Sequence, residues 1–377
     1  MKGTRVTVWP AAALAAGMLA SGCALLACGE PASAPAAKTK SAPAAAAPAQ
    51  QATAPDSAAL RERASAVLGP LADEAPNPDN PITREKIALG RMLYYDPRLS
   101  KNHDISCNSC HQLDNHGVDS EPTSPGHKGQ RGVRNSPTVY NAAFHIAQFW
   151  DGRAADVEEQ AKGPVLNPVE MAMPSEAAVV AVLKSIPGYA PLFAAAFPKQ
   201  EDPISYDNMA RAIGAFERRL STPSRFDAFL EGQDEALSEQ EIAGLETFLE
   251  VGCPSCHNGP LVGGNLYQKL GLIKPYETDD AGRFAVTGNE ADRQVFKVPS
   301  LRNVEKTGPW FHDGSKTDLD DAIRTMAEHQ LGRELTNQQL RSLRVFLASL
   351  SGEVDGEYIA QPELPPSGPD TPAPDPS

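Results

Sequence analysis

The chain has 377 residues, 41% of them hydrophobic and 22% charged, so its length admits two or three soluble domains. Apart from the N-terminus it carries no long uncharged apolar run, which excludes a multi-span membrane protein, and six cysteines are too sparse for a disulfide scaffold. Thirty-four Lys+Arg against 48 Asp+Glu give a formal charge of −14, which argues against a nucleic-acid partner and for a partner with a basic face.

Residues 1–28 read as an export signal. Lys2 and Arg5 form a basic head, and an apolar stretch without charge follows from Val6 to Ala27. It ends in Leu25-Leu26-Ala27-Cys28-Gly29, which resembles a bacterial lipobox and predicts a lipid anchor on Cys28 facing the periplasm. Cys23 is a poorer second candidate, and an ordinary cleaved signal or an anchor helix remains an alternative. Residues 29–57 form an Ala/Pro-rich linker. At the other end, seven prolines among Pro362–Ser377 predict a disordered tail over 358–377.

Between these ends the chain reads as all-α, in two halves with irregular loops: 58–222 and 223–357. Thr83 to Tyr95 has helical spacing of Ile87, Leu89, Met92 and Leu93. Ser238 with Glu241 forms a capping box before Ile242, Leu245, Phe248 and Leu249, and Thr336 with Gln339 forms another before Leu340, Leu343, Phe346 and Leu347.

Four cysteines remain, in Cys107-Asn108-Ser109-Cys110-His111 and Cys253-Pro254-Ser255-Cys256-His257. Each is C-x-x-C-H, the attachment signal for c-type haem. Two thiols at this spacing reach the two vinyl groups of one porphyrin edge, and the following imidazole then lies under the iron. A four-cysteine zinc site or a redox dithiol leaves the two histidines unexplained. Two covalent haems are therefore expected, one in each half. The sixth ligand of each iron separates electron transfer from catalysis. Met326 is one candidate, although a helical Met more often fills a core.

Several longer blocks then carry a resemblance. Phe296-Lys297-Val298-Pro299-Ser300-Leu301-Arg302-Asn303-Val304, Pro309-Trp310-Phe311-His312-Asp313-Gly314, Phe149-Trp150-Asp151-Gly152-Arg153-Ala154 and Asn167-Pro168-Val169-Glu170-Met171 closely resemble the bacterial dihaem cytochrome c peroxidases. They stand in the family's order around both haem motifs.

The resemblance implies two cytochrome c-like haem domains and reduction of hydrogen peroxide to water. The electrons would come from a small periplasmic cytochrome c or cupredoxin, and a homodimer is possible in such a family. It implies that His111 is proximal in the peroxidatic N-terminal site, and that His127 is a displaceable sixth ligand on a loop with Gly117, Gly126, Gly129 and Gly132. In the C-terminal electron-transfer site it implies His257 and Met326 as axial ligands. It further implies Glu170 and Gln160 as distal acid/base residues, Trp150 as an electron conduit, and one Ca2+ held by Asn135, Thr307 and Pro309. His312 could meet a haem propionate or be structural. Two rival readings remain: a dihaem electron relay, against which the Gly-rich loop and Glu170 argue, and an oxidase of protein side chains. The branch with that last activity has Tyr at the Met326 position.

Overall fold

The structure, a computed structural model, describes residues 57–377. The export-signal reading of 1–28 and the linker up to residue 56 lie outside the described residues. The helices are α1 (Ser57–Ser65), α2 (Arg84–Tyr95), α3 (Cys107–Cys110), α4 (Val157–Leu166), α5 (Glu176–Ser185), α6 (Tyr189–Ala196), α7 (Tyr206–Glu217), α8 (Arg225–Leu230), α9 (Glu239–Val251), α10 (Phe284–Thr287), α11 (Leu319–Leu331), α12 (Asn337–Ser349) and α13 (Gly356–Ile359). The expectation of helices alone needs one correction. β1 (Tyr267–Lys269) pairs antiparallel with β2 (Val295–Lys297), with Gln268 opposite Phe296. Three-residue strands are too short to show an alternating pattern in sequence.

The predicted starts have their capping bonds. Thr83 accepts from the Lys86 amide at α2, and the Ser238/Glu241 and Thr336/Gln339 boxes close reciprocally at α9 and α12. Each helix then buries its apolar stripe in one of two cores. Leu89, Leu93 and Tyr94 of α2 pack with Tyr189, Phe193, Met209, Ile213 and Phe216. Leu245 and Phe248 of α9 pack with Phe226, Phe229, Leu343, Phe346 and Leu347.

Both cores are built around a helix crossing that requires glycine. A Cβ on Gly90 in α2 would collide with the Ala212 carbonyl of α7, and one on Gly244 in α9 with the Ser342 carbonyl of α12. Each core also holds a buried ion pair. Arg218 meets Glu158 at 2.7 Å, and Arg302 meets both carboxylate oxygens of Asp227, at 2.5 and 2.7 Å. Removing one partner would strand the other charge, at a cost of about 3–5 kcal/mol.

The two ends of the described chain cross between the cores. Leu60 and Ala64 of α1, placed with the first half by sequence, pack in the second core beside Phe229. Val354, Tyr358 and Ile359 pack on the first, with Tyr358 stacked on Phe216. The tail also differs from expectation. Arg98 and Lys101 donate to the Pro365 and Ser377 backbone oxygens, as a proline-rich strand can accept bonds although it donates few, and the Thr371 hydroxyl both accepts from the Ser185 hydroxyl and donates to the Ser185 carbonyl. Composition registers the missing core but not this docking.

Candidate haem sites

Each C-x-x-C-H motif lines its own cavity. In the first, α3 presents Cys107 and Cys110, and its C-cap is His111. Tyr94 of α2 donates to the His111 carbonyl at 2.7 Å, fixing the motif to the first core. Burial pushes both thiols up, Cys110 to about 11, and pushes the His111 imidazole down. The His111 Nδ1 is buried without a hydrogen-bond partner. A half-buried imidazole held toward its neutral form beside two half-buried thiols fits covalent haem with His ligation.

The same cavity is lined by Gln160 from α4 and Glu170 from the turn that follows. That turn is set by Asn167, whose side chain accepts from the Val169 amide and donates to Glu170 Oε1 at 2.8 Å. Burial raises the Glu170 carboxyl above its ordinary value, opposed by the Arg153 charge and the Asn167 bond. A second buried acid went unnoticed in the sequence. Glu217, at the end of α7, lines the same cavity and is pushed up to about 8 by burial. Its signal was a lone Glu inside an apolar helical stripe.

His127 does not line this cavity. It is 5% exposed, its amide donates to the Glu170 carbonyl at 2.7 Å, and its Nε2 donates to the Ser377 backbone oxygen at 3.2 Å. The loop can lie this close to Glu170 because Gly126 has no Cβ, which would strike the Val169 carbonyl. Lys128 and Gly129 then turn the chain through left-handed backbone at φ 58° and 71°.

In the second cavity α9 ends at Gly252, φ 96°, and delivers Cys253, Cys256 and His257 to the wall. His257 Nδ1 lies 3.3 Å from the Val262 carbonyl, leaving Nε2 for a metal, and burial lowers its pKa to about 4. Met326 of α11 lines this cavity with His257. So do Lys297 and His145, which sequence did not single out. Lys297 Nζ donates to His145 Nδ1 at 2.6 Å, and burial lowers the ammonium to about 7. The His145 Nε2 is buried and unpartnered.

Asn135, Pro137, Thr138, Phe149 and Trp150 line both cavities and form the wall between them. Trp150 is fixed from both sides: its indole donates to the Asn135 carbonyl at 2.9 Å, and its carbonyl accepts from the Lys297 amide at 2.8 Å. His312 lies edge-on to Trp150 and stacks on Phe296, and its Nε2 is 3.1 Å from the Thr278 hydroxyl. Asn135, Thr307 and Pro309 share the second cavity's wall.

The model of the di-haem cytochrome c peroxidase family matches residues 84–235. The cytochrome c551 peroxidase of Nitrosomonas europaea is 49% identical over 307 residues, covering 80% of this chain and 90% of that relative. The cytochrome c551 peroxidase of Pseudomonas aeruginosa is 45% identical, covering 84% and 92%. The methylamine utilization protein MauG of Methylorubrum extorquens is 34% identical, covering 78% and 85%. Among solved structures, a MauG-like protein associated with microbial copper homeostasis superposes with a TM-score of 0.69 at 29% identity, covering 77% and 97%. With two cavities each lined by a haem-attachment motif, and with relatives this similar along most of its length, the chain belongs to the di-haem cytochrome c peroxidase family.

Proposed function

We propose that this chain is a periplasmic peroxidase that reduces hydrogen peroxide to water, using electrons from a small cytochrome c or cupredoxin. The observation that carries the reading is the asymmetry of the cavities: Gln160 and Glu170 face the first, whereas Met326 faces the second. Bound at Cys107, Cys110 and His111, and at Cys253, Cys256 and His257, haem supplies the one-electron chemistry that protein side chains lack.

The chain's own residues do the rest. Glu170 in its carboxylate form takes the proton from one peroxide oxygen and returns it to the other, and Gln160 orients the peroxide by hydrogen bonding. Asn167 holds Glu170 in place. Trp150, in the shared wall, provides the path for electrons arriving at the second cavity. His127 would be the displaceable ligand of a haem in the first. Met326 would hold the second haem together with His257 and suit it to accept electrons first, because His/Met ligation raises the potential. The Asn135 amide oxygen and the Thr307 and Pro309 carbonyls are hard donors suited to Ca2+, with water completing the shell. Lipid anchoring at Cys28 belongs to the same reading and places the enzyme on a membrane facing the periplasm.

The test is steady-state peroxide consumption with reduced cytochrome c, comparing fully oxidised and ascorbate-reduced protein with and without Ca2+. Turnover in either state supports the peroxidase. No turnover with both haems present overturns it in favour of a relay.

A further inference from the structure

Residues 365–377 are held along their length on the first half of the chain. Arg98 donates to the Pro365 carbonyl at 2.8 Å and to Ser367 Oγ at 3.2 Å. Gly368 lies against the Ser185 carbonyl, where a Cβ would collide, and Ser185 donates to the Thr371 hydroxyl at 3.0 Å. The Asp375 amide donates to the Lys101 carbonyl at 2.9 Å. Prolines stiffen the segment, so docking it costs less conformational entropy than docking an ordinary coil.

The last contacts converge on one atom. Lys101 Nζ donates to the Ser377 backbone oxygen at 2.8 Å and to Ser377 Oγ at 3.0 Å, with the Asp375 carboxylate 3.5 Å away. That same backbone oxygen accepts from His127 Nε2. Lys101 is fixed in turn, because its amide donates to the Met171 carbonyl at 2.8 Å, one residue beyond Glu170. Segment 365–377, Lys101, His127 and the Glu170 turn thus form one connected hydrogen-bonded unit.

We propose that residues 365–377 are a strap that positions His127 outside the first cavity, with Lys101 as the positioning residue that clasps it. This rests on the reading of His127 as a displaceable ligand. The chemistry is exclusive: an Nε2 that gives its hydrogen to Ser377 cannot offer iron a lone pair through the same atom. The strap therefore biases the loop toward the open site, and loosening it returns His127 to the iron.

The test compares oxidised, haem-loaded wild type with Lys101→Met and with a variant lacking residues 361–377, read by electron paramagnetic resonance and visible absorption. Wild type is expected to show a high-spin N-terminal haem. Each variant is expected to move the ratio of low-spin to high-spin by about tenfold or more toward low-spin. Adding His127→Ala to either variant should restore the high-spin signal, which mere loosening of the fold would not do. A wild type already low-spin through His127, or variants with an unchanged ratio, would overturn the strap. If the shortened chain fails to fold, Lys101→Met with and without His127→Ala decides alone. Peroxide turnover by wild type is measured separately, so loss of the strap and loss of the peroxidase reading remain distinguishable.

Discussion

The two cavities begin from the same five-residue motif and diverge in the rest of their lining. In the first, the turn carrying Glu170 and the Gly-rich loop at Gly126 and Gly132 line the cavity, and the same loop holds His127 just outside it. In the second, Met326 stands on the thirteen-residue helix α11, whose Leu319, Ala322 and Ala327 are buried. A ligand on a packed helix stays, and a ligand on a loop can leave. The comparison shows one attachment motif set in two differently lined cavities. The difference lies in the rigidity and polarity of what lines each cavity, not in the attachment motif.

The sharpest way to break this comparison is to remove the acid/base group from the first side alone. Glu170→Gln should lower peroxide turnover by about 10²–10⁴ while both haem spectra persist, measured by steady-state kinetics at matched haem content. Next in size is the helix crossing that the halves share. Gly90→Ala and Gly244→Ala each force a methyl against a carbonyl and should each cost about 1–3 kcal/mol or more in denaturant unfolding. An effect on one half only would end the parallel between the cores.

A smaller effect belongs to the second cavity. Lys297→Met removes a buried cation, which favours the reduced haem, so the C-terminal potential should fall. The fall should be on the order of 50 mV at pH 6 and little at pH 8. The sign follows from the amine, charged below its pKa of about 7 and neutral above it. The smallest effect is the acid limb of turnover. Glu170 acts as a base only when ionised, and burial raises its pKa above 4.5. Activity should therefore fall as pH drops through a value above 4.5, and the Glu170→Gln variant should lack that limb.

Much of this arrangement was legible in the sequence because the signals were local. The capping boxes of α9 and α12 and the two C-x-x-C-H motifs each declare themselves within a few residues. The resemblance then named Glu170, Gln160, Trp150 and Met326, which line the cavities its blocks flank. What escaped was non-local. Lys297 and His145 are 152 positions apart and reveal themselves only when folding brings both to one wall without a carboxylate partner. The docking of residues 365–377 depends on Arg98 and Lys101, some 270 positions earlier, whereas proline content reports only that the segment lacks a core of its own. His127 was readable as a residue type on a flexible loop, but its bond to Ser377 was not.

The asymmetry itself is tested most directly by counting cyanide molecules bound per chain in oxidised, haem-loaded wild type and in Met326→Gly. The account predicts one in wild type, at the N-terminal haem, and two once Met326 no longer closes the second site. Two in wild type, or no gain in the variant, would contradict it.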